Sequence, residues 1–483
     1  MTLNELTGNL EILNSVSYPQ SDITSIEYDS RKVKEGSVFV AIEGFETDGH
    51  KYIDSAVKNG ACAVVCQKDI DIEGATKILV PDSRKALAVM AKEFFSSPAS
   101  GMKIIGITGT NGKTTTTYLV KEILEYKNHK VGLIGTNQNM IGNRVIESSR
   151  TTPESLELHK LFSEMYSEGV EYVIMEVSSH SLCLDRVYGI DFEIGAFTNL
   201  TRDHLDFHKT MDNYAMAKAM LFSMCKVGII NKDDAYADKI SENSTCKIIK
   251  CGVKNKADIQ AQNIKLSSKG VTFDAVTKLS KETIRVNIPG EFTVYNTLSA
   301  VGICLGLGIS IKDIKNALAI ATGVKGRAEI VNIPAPYTVM IDYAHTPDGL
   351  ENIIKTVKGF AEKKVITLFG CGGDRDRTKR PIMGKISGEL SDISIITSDN
   401  PRSENPDTII EEIVCGIKET SGEYYVVPGR KDAIKYAMEI AKEGDVIILA
   451  GKGHETYQIL NSGTIHFDER EVVREVFDEL SSK

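Results

Sequence analysis

Between residues 103 and 118 the chain reads KIIGITGTNGKTTTTY, and its second half holds the residue types that bind nucleotide phosphates. Gly109, Thr110, Asn111 and Gly112 make a turn whose backbone can approach a phosphate closely. Lys113 adds positive charge, and a threonine hydroxyl, from Thr114 or Thr115, can reach a phosphate-bound Mg²⁺. The usual spacing asks for a glycine five residues before Gly112, where Ile107 stands, so this is a variant of the loop. An ordinary glycine turn would not explain why a lysine and a run of threonines follow at once.

The elements that must position this turn are legible on either side of it. An apolar run at 104–108 reads as a strand, and Leu119, Val120, Ile123 and Leu124 recur at helical spacing. Further apolar runs at 131–135, 172–177, 194–198 and 227–230 read as buried parallel strands. Two of them end in polar clusters, Glu176-Val177-Ser178-Ser179-His180 and the stretch 198–208. Ligands of open α/β sheets bind outside the carboxyl ends of the strands. Glu176 and His204 therefore belong beside the phosphates, where a carboxylate and an imidazole can ligate a divalent cation. His204, Asp206 and His208 can also be read as a hydrolase metal motif, but further ligands at helpful spacing are missing. Ser178, Ser179 and His180 are adjacent and cannot form a nucleophilic triad, whose members come from separate elements. Lys218 is the one charge in AMAKAML, and periodicity alone makes it a solvent-facing lysine. Arg327, after Gly326, could hold a γ-phosphate.

At 483 residues the chain is too long for one core. We expect an α/β protein of three domains: a small α/β domain at 1–99, a P-loop nucleotide-binding domain at 100–327, and a doubly wound, Rossmann-like domain at 328–483. The cluster of small residues around Pro98 marks the first boundary. In the last domain strands are expected at 338–341, 365–369, 393–397, 424–427 and 446–450, separated by amphipathic helices. Four strand ends carry polar residues: Asp342 to Pro347, Gly370 to Asp376, then Asp399-Asn400-Pro401-Arg402, and Gly451 to Glu455. Four such loops on one sheet edge argue for a second binding site. In the first domain, Asp29-Ser30-Arg31 and the loop from Glu43 through Phe45 and Glu46 to His50 are polar and could hold a ligand or be plain turns.

A net charge of −9 and the lack of a basic run with interleaved aromatics argue against nucleic acid. Nine cysteines without a C-x-x-C pair read as reduced structural thiols. No apolar run approaches the ~18 residues of a membrane span, and the first residues lack the pattern of a signal peptide, so a cytoplasmic address is expected.

Taken together, these stretches resemble the Mur ligases, ATP-dependent enzymes that build the peptide of peptidoglycan, over nearly the whole chain. Residues 109–115, 176–180, 199–208, 289–296, 326–329 and 342–347 match the family's motifs in its order. The resemblance implies that ATP is held by Gly109, Thr110, Asn111, Gly112, Lys113, Thr114 and Thr115, with Asn296, Arg327, Asp342 and His345. It implies Mg²⁺ on Thr114, Glu176, His204 and a Lys218 carbamylated by CO₂, which overturns the solvent-facing reading of that lysine. Lys113, Glu176, His204 and Lys218 would be catalytic. A uridine-nucleotide muramoyl dipeptide would be held by Ser30, Thr151, Thr152, Ser178 and Arg186, although Leu184 stands where some relatives have a glutamine contact. The 399–402 loop resembles the diaminopimelate-adding type, with Arg375, Asp399, Asn400, Pro401, Arg402, Gly451 and Glu455 around the amino acid. A guanidinium there suits the second carboxylate that lysine lacks. Alternatives are lysine as the added amino acid, a folate-type polyglutamate ligase, and a nucleotide-binding scaffold without turnover. A monomer is expected.

Overall fold

The structure, a computed structural model, describes residues 1–17, 22–44, 47–148, 150–267 and 269–482. Phe45, Glu46 and the Asp206 side chain, which entered the sequence reading, lie outside what is described. The chain divides into two compact units, residues 1–251 with 302–308, and residues 252–301 with 309–483.

In the first unit a four-stranded parallel sheet comes first, in the order Ser25–Glu27, Ser37–Val40, Ala61–Cys66, Thr76–Leu79. Helix Ser83–Phe94 starts at Asp82, whose carboxylate caps two backbone N–H groups. Ser96 and Ser97 then turn through left-handed conformations, φ 61° and 50°. The chain leaves through a short 3₁₀ turn at Pro98–Gly101 into the next sheet. There Lys103–Thr108 lies between Phe192–Phe197 and Tyr172–Glu176, all parallel. Cys225–Asn231 and Lys247–Gly252 extend one side, and Val131–Ile134 extends the other. Ile104 and Val173 on one face of this sheet and Ile105 and Ile174 on the other have no exposure, so both faces are covered. A hairpin, Asn139–Ile141 with Arg144–Ile146, closes that edge in antiparallel fashion.

The second unit opens with an antiparallel meander, Ile259–Ser267, Gly270–Val276 and Lys281–Val286. Helices Glu291–Gly306, its last residues excepted, and Ile311–Ala319 follow. Its main sheet is parallel apart from the edge strand Glu329–Ile330. The parallel strands lie in the order Thr338–Asp342, Val446–Ala450, Val365–Phe369, Ile393–Ile396, Tyr424–Val426. Alternate residues feed two cores. Met340, Phe369, Ile396 and Ile448 face helices Pro347–Lys358, Lys379–Leu390 and Pro406–Ile417. Ile341, Leu368, Ile395 and Leu449 face helices Arg430–Ile440 and Glu469–Ser481. That two-sided covering is the doubly wound arrangement. Burial of each such side chain contributes about 1.5–3 kcal/mol. It also aligns the carboxyl ends of four strands on one edge.

Candidate active site

Strand Lys103–Thr108 delivers the chain to a loop that only glycine can make. Gly109 has φ 150°, and a Cβ there would stand 1.9 Å from the Thr198 hydroxyl oxygen. Gly112, at φ 85°, is the N-cap of helix Lys113–Tyr126. The neighbouring loop holds this turn open. Thr198 Oγ1 donates to the Asn111 carbonyl at 2.6 Å, the Asn111 N–H donates to Asn199 Oδ1 at 2.9 Å, and the Thr110 N–H donates to the Asn199 carbonyl at 2.8 Å. Lys113 Nζ curls back to the carbonyls of Gly109 and Thr110, 2.9 Å each. The result is a rigid rim with a cation and a helix start at its mouth.

Glu176 ends the adjacent strand, 1% exposed. Its Oε1 accepts from Thr114 Oγ1 at 2.9 Å and from the Thr136 N–H at 3.0 Å, and its Oε2 accepts from Thr136 Oγ1 at 2.9 Å. The Glu176 carbonyl accepts from Thr152 Oγ1 at 2.8 Å, and that oxygen in turn accepts from the Ser178 N–H at 3.1 Å. Thr151 touches Thr136 hydroxyl to hydroxyl at 3.0 Å. Arg186 donates to the Thr152 carbonyl at 3.2 Å and pairs with Glu154 at 2.9 Å. Burial lowers the Arg186 pKa, and Glu154 works against that shift. Thr114, Thr151, Thr152, Glu176, Ser178 and Arg186 thus belong to one hydrogen-bonded network. Ser30 lies in the N-terminal sheet domain, whose Tyr28 hydroxyl donates to Glu157 at 2.8 Å.

Lys218 corrects the reading from periodicity. It is 1% exposed, and Nζ donates to the Gly109 carbonyl at 2.9 Å, over the Tyr214 ring at 4.5 Å. Burial first, and the Lys113 charge second, hold its pKa well below the usual lysine value. His204, exposed and left-handed at φ 52°, sets its ring edge-on to His180 at 4.9 Å and to Tyr214 at 6.1 Å. His208 is buried against Ser179 Oγ at 2.8 Å, which gives it a structural partner. Among the described residues no three His, Cys, Asp or Glu side chains gather as a metal cluster. A buried carboxylate flanked by hydroxyls, at the mouth of a phosphate cradle, suits Mg²⁺, which takes one or two carboxylates and completes its shell with phosphate and water.

In the second unit Arg327, Asp342 and His345 share one neighbourhood. The Arg327 guanidinium lies over the Tyr343 ring at 5.2 Å, with His345 and His454 against the same ring. Asp342 accepts from the N–H groups of Ala328 and Ala344 at 2.8 and 2.9 Å. Burial raises its pKa while Arg327 and those N–H groups pull it down. Asn296 is buried in helix Glu291–Gly306.

The other strand ends meet along one edge of the second unit's main sheet. Asn400 donates to Glu455 Oε2 at 2.9 Å, and the fully buried Lys452 bridges Asn400 Oδ1 at 3.2 Å and Glu455 Oε2 at 3.1 Å. Asp399 stands 3.7 Å from the buried Arg430, which also pairs with Glu469 at 2.8 Å. A Cβ on Gly451 would lie 2.6 Å from Asp399 Oδ2. Pro401 is buried, Arg402 is half-buried with its guanidinium on the Gly373 carbonyl at 2.8 Å, and Arg375 is exposed. The hairpin Tyr457–Leu460 with Gly463–His466 covers this edge: Gln458 donates to the Asp399 carbonyl at 2.6 Å, and the Ile459 N–H to Asn400 Oδ1 at 2.9 Å.

Sequence reasoning missed Thr136, Tyr214, Glu154 and Arg430, and it placed Lys452 in a polar strand-end loop without giving it a partner. Thr136 follows the apolar run 131–135, so the rule that singled out Glu176 would also have found it. The others become visible only through partners distant in sequence.

A phosphate cradle, a buried carboxylate beside it and a doubly wound second sheet are the features of the Mur ligases, and the chain belongs to that family. Its residues 22–95, 107–304 and 326–453 match, respectively, the models for the Mur ligase family catalytic domain, the Mur ligase middle domain and the Mur ligase glutamate ligase domain. A relative from Clostridium botulinum, UDP-N-acetylmuramoyl-L-alanyl-D-glutamate--2,6-diaminopimelate ligase, is 54% identical across 99% of this chain and 100% of its own. The protein of that name from Clostridioides difficile is 47% identical, over 99% and 100%. A solved structure with the same name has a TM-score of 0.75 at 31% identity, covering 100% of this chain and 99% of its own.

Proposed function

We infer that this chain joins meso-diaminopimelate to the D-glutamate of UDP-N-acetylmuramoyl-L-alanyl-D-glutamate at the expense of ATP. The observation that carries the choice of amino acid is the edge around Asn400, Arg402 and Glu455. It presents a guanidinium for one carboxylate and an acid for an ammonium, which is the complement of diaminopimelate.

In the reaction an oxygen of the D-glutamate carboxylate attacks the γ-phosphorus of ATP, ADP leaves, and an acyl phosphate remains. The diaminopimelate amine attacks the acyl carbon, sheds a proton and expels phosphate. No protein nucleophile is consumed, so the residues act by position and charge. Lys113 and the first N–H groups of helix Lys113–Tyr126 would face the charge that spreads over the transferring phosphoryl group. Arg327 adds a second cation for the phosphates, Asp342 and His345 take the ribose, and Asn296 lies toward the adenine. Thr151, Thr152, Ser178 and Arg186 hold the dipeptide, and Ser30 the uridine side. Arg375, Asp399, Pro401 and Gly451 complete the amino-acid site. Mg²⁺ on Thr114 and Glu176, with a second ion on Glu176, His204 and Lys218, would supply further neutralisation of phosphate charge.

For Lys218 we propose the carbamate. Its amine is held toward the neutral form, which attacks CO₂ carbon, loses a proton and becomes an anion. ¹³C-bicarbonate labelling should give one carbamate resonance that Lys218→Met lacks. We also propose the division into a nucleotide-sugar domain at 1–99, an ATP domain at 100–327 and an amino-acid domain at 328–483, in a cytoplasmic monomer. Among the described residues no helix is long and apolar enough to cross a membrane.

The test is phosphate release from ATP with Mg²⁺ and the nucleotide dipeptide, comparing meso-diaminopimelate, L-lysine and no amino acid. Release that requires diaminopimelate is expected. Equal release with L-lysine would overturn the carboxylate-reading argument alone, and release with neither would overturn the ligase reading.

A further inference from the structure

Two loops leave the C-terminal sheet side by side, 370–376 after strand Val365–Phe369 and 399–404 after strand Ile393–Ile396. They are laced together. The Gly373 N–H donates to the Asn400 carbonyl at 2.9 Å, and Arg402 Nη1 donates to the Gly373 carbonyl at 2.8 Å. Ser403 donates to the Asp374 carboxylate through its N–H at 3.2 Å and its hydroxyl at 2.7 Å. A Cβ on Gly373 would stand 1.9 Å from the Pro401 carbonyl oxygen, so the two backbones touch. Each loop also carries a non-glycine residue in the left-handed region, Asp374 at φ 54° and Arg402 at φ 53°. Residues with a side chain hold that conformation when their surroundings impose it.

The constraint converges on Glu404. Its Oε1 accepts from the Asp374 N–H at 2.5 Å, and its two oxygens accept from Arg380 Nη1 and Nη2 at 3.0 and 2.9 Å. Arg380 comes from helix Lys379–Leu390, is fully buried, and donates also to the Gly372 carbonyl at 3.2 Å and to Glu412 at 2.7 Å. One carboxylate thus pins the loop whose Gly373 carbonyl seats the Arg402 guanidinium. We propose that Glu404, braced by Arg380, is a positioning residue that fixes where that guanidinium stands, and thereby sets the preference for an amino acid with a second carboxylate. The proposal rests on the reading of Arg402 given above.

The experiment measures phosphate release at saturating ATP and nucleotide dipeptide, with meso-diaminopimelate and with L-lysine, for Glu404→Gln, Arg402→Ala and the double variant. Glu404→Gln leaves Arg380 its pair with Glu412. Its diaminopimelate KM should rise about tenfold, as for loss of charge-assisted hydrogen bonds, with kcat within about twofold and L-lysine kinetics unmoved. In the Arg402→Ala background it should change nothing further, because the two residues act as one unit. An unmoved diaminopimelate KM, equal losses with both amino acids, or an additive effect in the double variant would each overturn the proposal. If Glu404→Gln does not fold, Asp374→Asn at the exposed end of the lacing should raise the same KM about threefold, and no change there overturns it. Arg402→Ala that leaves the diaminopimelate KM unmoved overturns the amino-acid reading itself, and this proposal with it. An Arg402 effect without a Glu404 effect overturns the proposal alone.

Discussion

Lys113 reaches backbone carbonyls of the glycine loop, whereas Arg380, Arg430 and Lys452, beneath the edge of the C-terminal sheet, rest on carboxylates. A carbonyl carries only a partial charge and does not by itself cancel a cation. A carboxylate cancels it and fixes direction instead. The first arrangement suits a ligand with several negative charges, such as a triphosphate. The second suits an amino acid with two carboxylates and two ammonium groups, whose net charge is zero and which is told from its analogues by geometry.

The contrast breaks most visibly at Lys113. Lys113→Met should lower kcat by about a thousandfold, with the diaminopimelate KM within about twofold, measured by phosphate release. A large change in that KM would mean that the two edges do not divide the labour as described. Lys452→Met, at the other edge, should do the reverse. Glu455 would keep its bond from Asn400 but lose its cation, so the diaminopimelate KM should rise about tenfold while the ATP KM stays put.

A further effect, on stability rather than turnover, is expected in acid. His159, on helix Ser155–Ser167 in the first unit, is buried against Phe162, and burial holds its pKa near about 4 against an ordinary 6.5. The unfolded chain takes up a proton below pH 6.5 that the folded one refuses until about pH 4. Stability of this unit should therefore fall by about 3 kcal/mol across that window. His159→Phe should flatten the fall, as followed by hydrogen exchange in helix Ser155–Ser167. The Glu404 carboxyl is held down to about 2, first by the Arg380 hydrogen bonds and then by the Asp374 N–H. The stability it lends is intact above its ordinary 4.5 and is lost as pH falls through about 2. Exchange in loop 370–376 should thus respond at lower pH than exchange in that helix.

Much of this organisation was legible in the sequence where burial is two-sided. The runs at 338–341, 365–369, 393–397 and 446–450 correspond to strands Thr338–Asp342, Val365–Phe369, Ile393–Ile396 and Val446–Ala450. Strands covered on both faces are apolar throughout and leave little room for misreading. The meander Ile259–Ser267, Gly270–Val276 and Lys281–Val286 was not foreseen, since its mixture of lysines and apolar residues has no sustained run. Lys218 was misjudged by periodicity because the residues flanking it on its helix are alanines. Ala215 and Ala217 are buried around it, but alanines draw a weak stripe. Arg380 sits in KRPIMGK, which reads as a solvated surface, and its acids come 24 and 32 residues later. Buried charges of this kind answer to tertiary pairing, which no local pattern records.

The left-handed backbone at Arg402 bears on how this chain would respond to selection in the laboratory. Glycine or asparagine occupies such a conformation at less cost than arginine. Arg402→Gly and Arg402→Asn should therefore melt higher than the parent even as they give up the guanidinium proposed to grip the second carboxylate. A library sorted for heat resistance alone would enrich variants that have lost their amino acid, and one sorted for turnover would keep the strain.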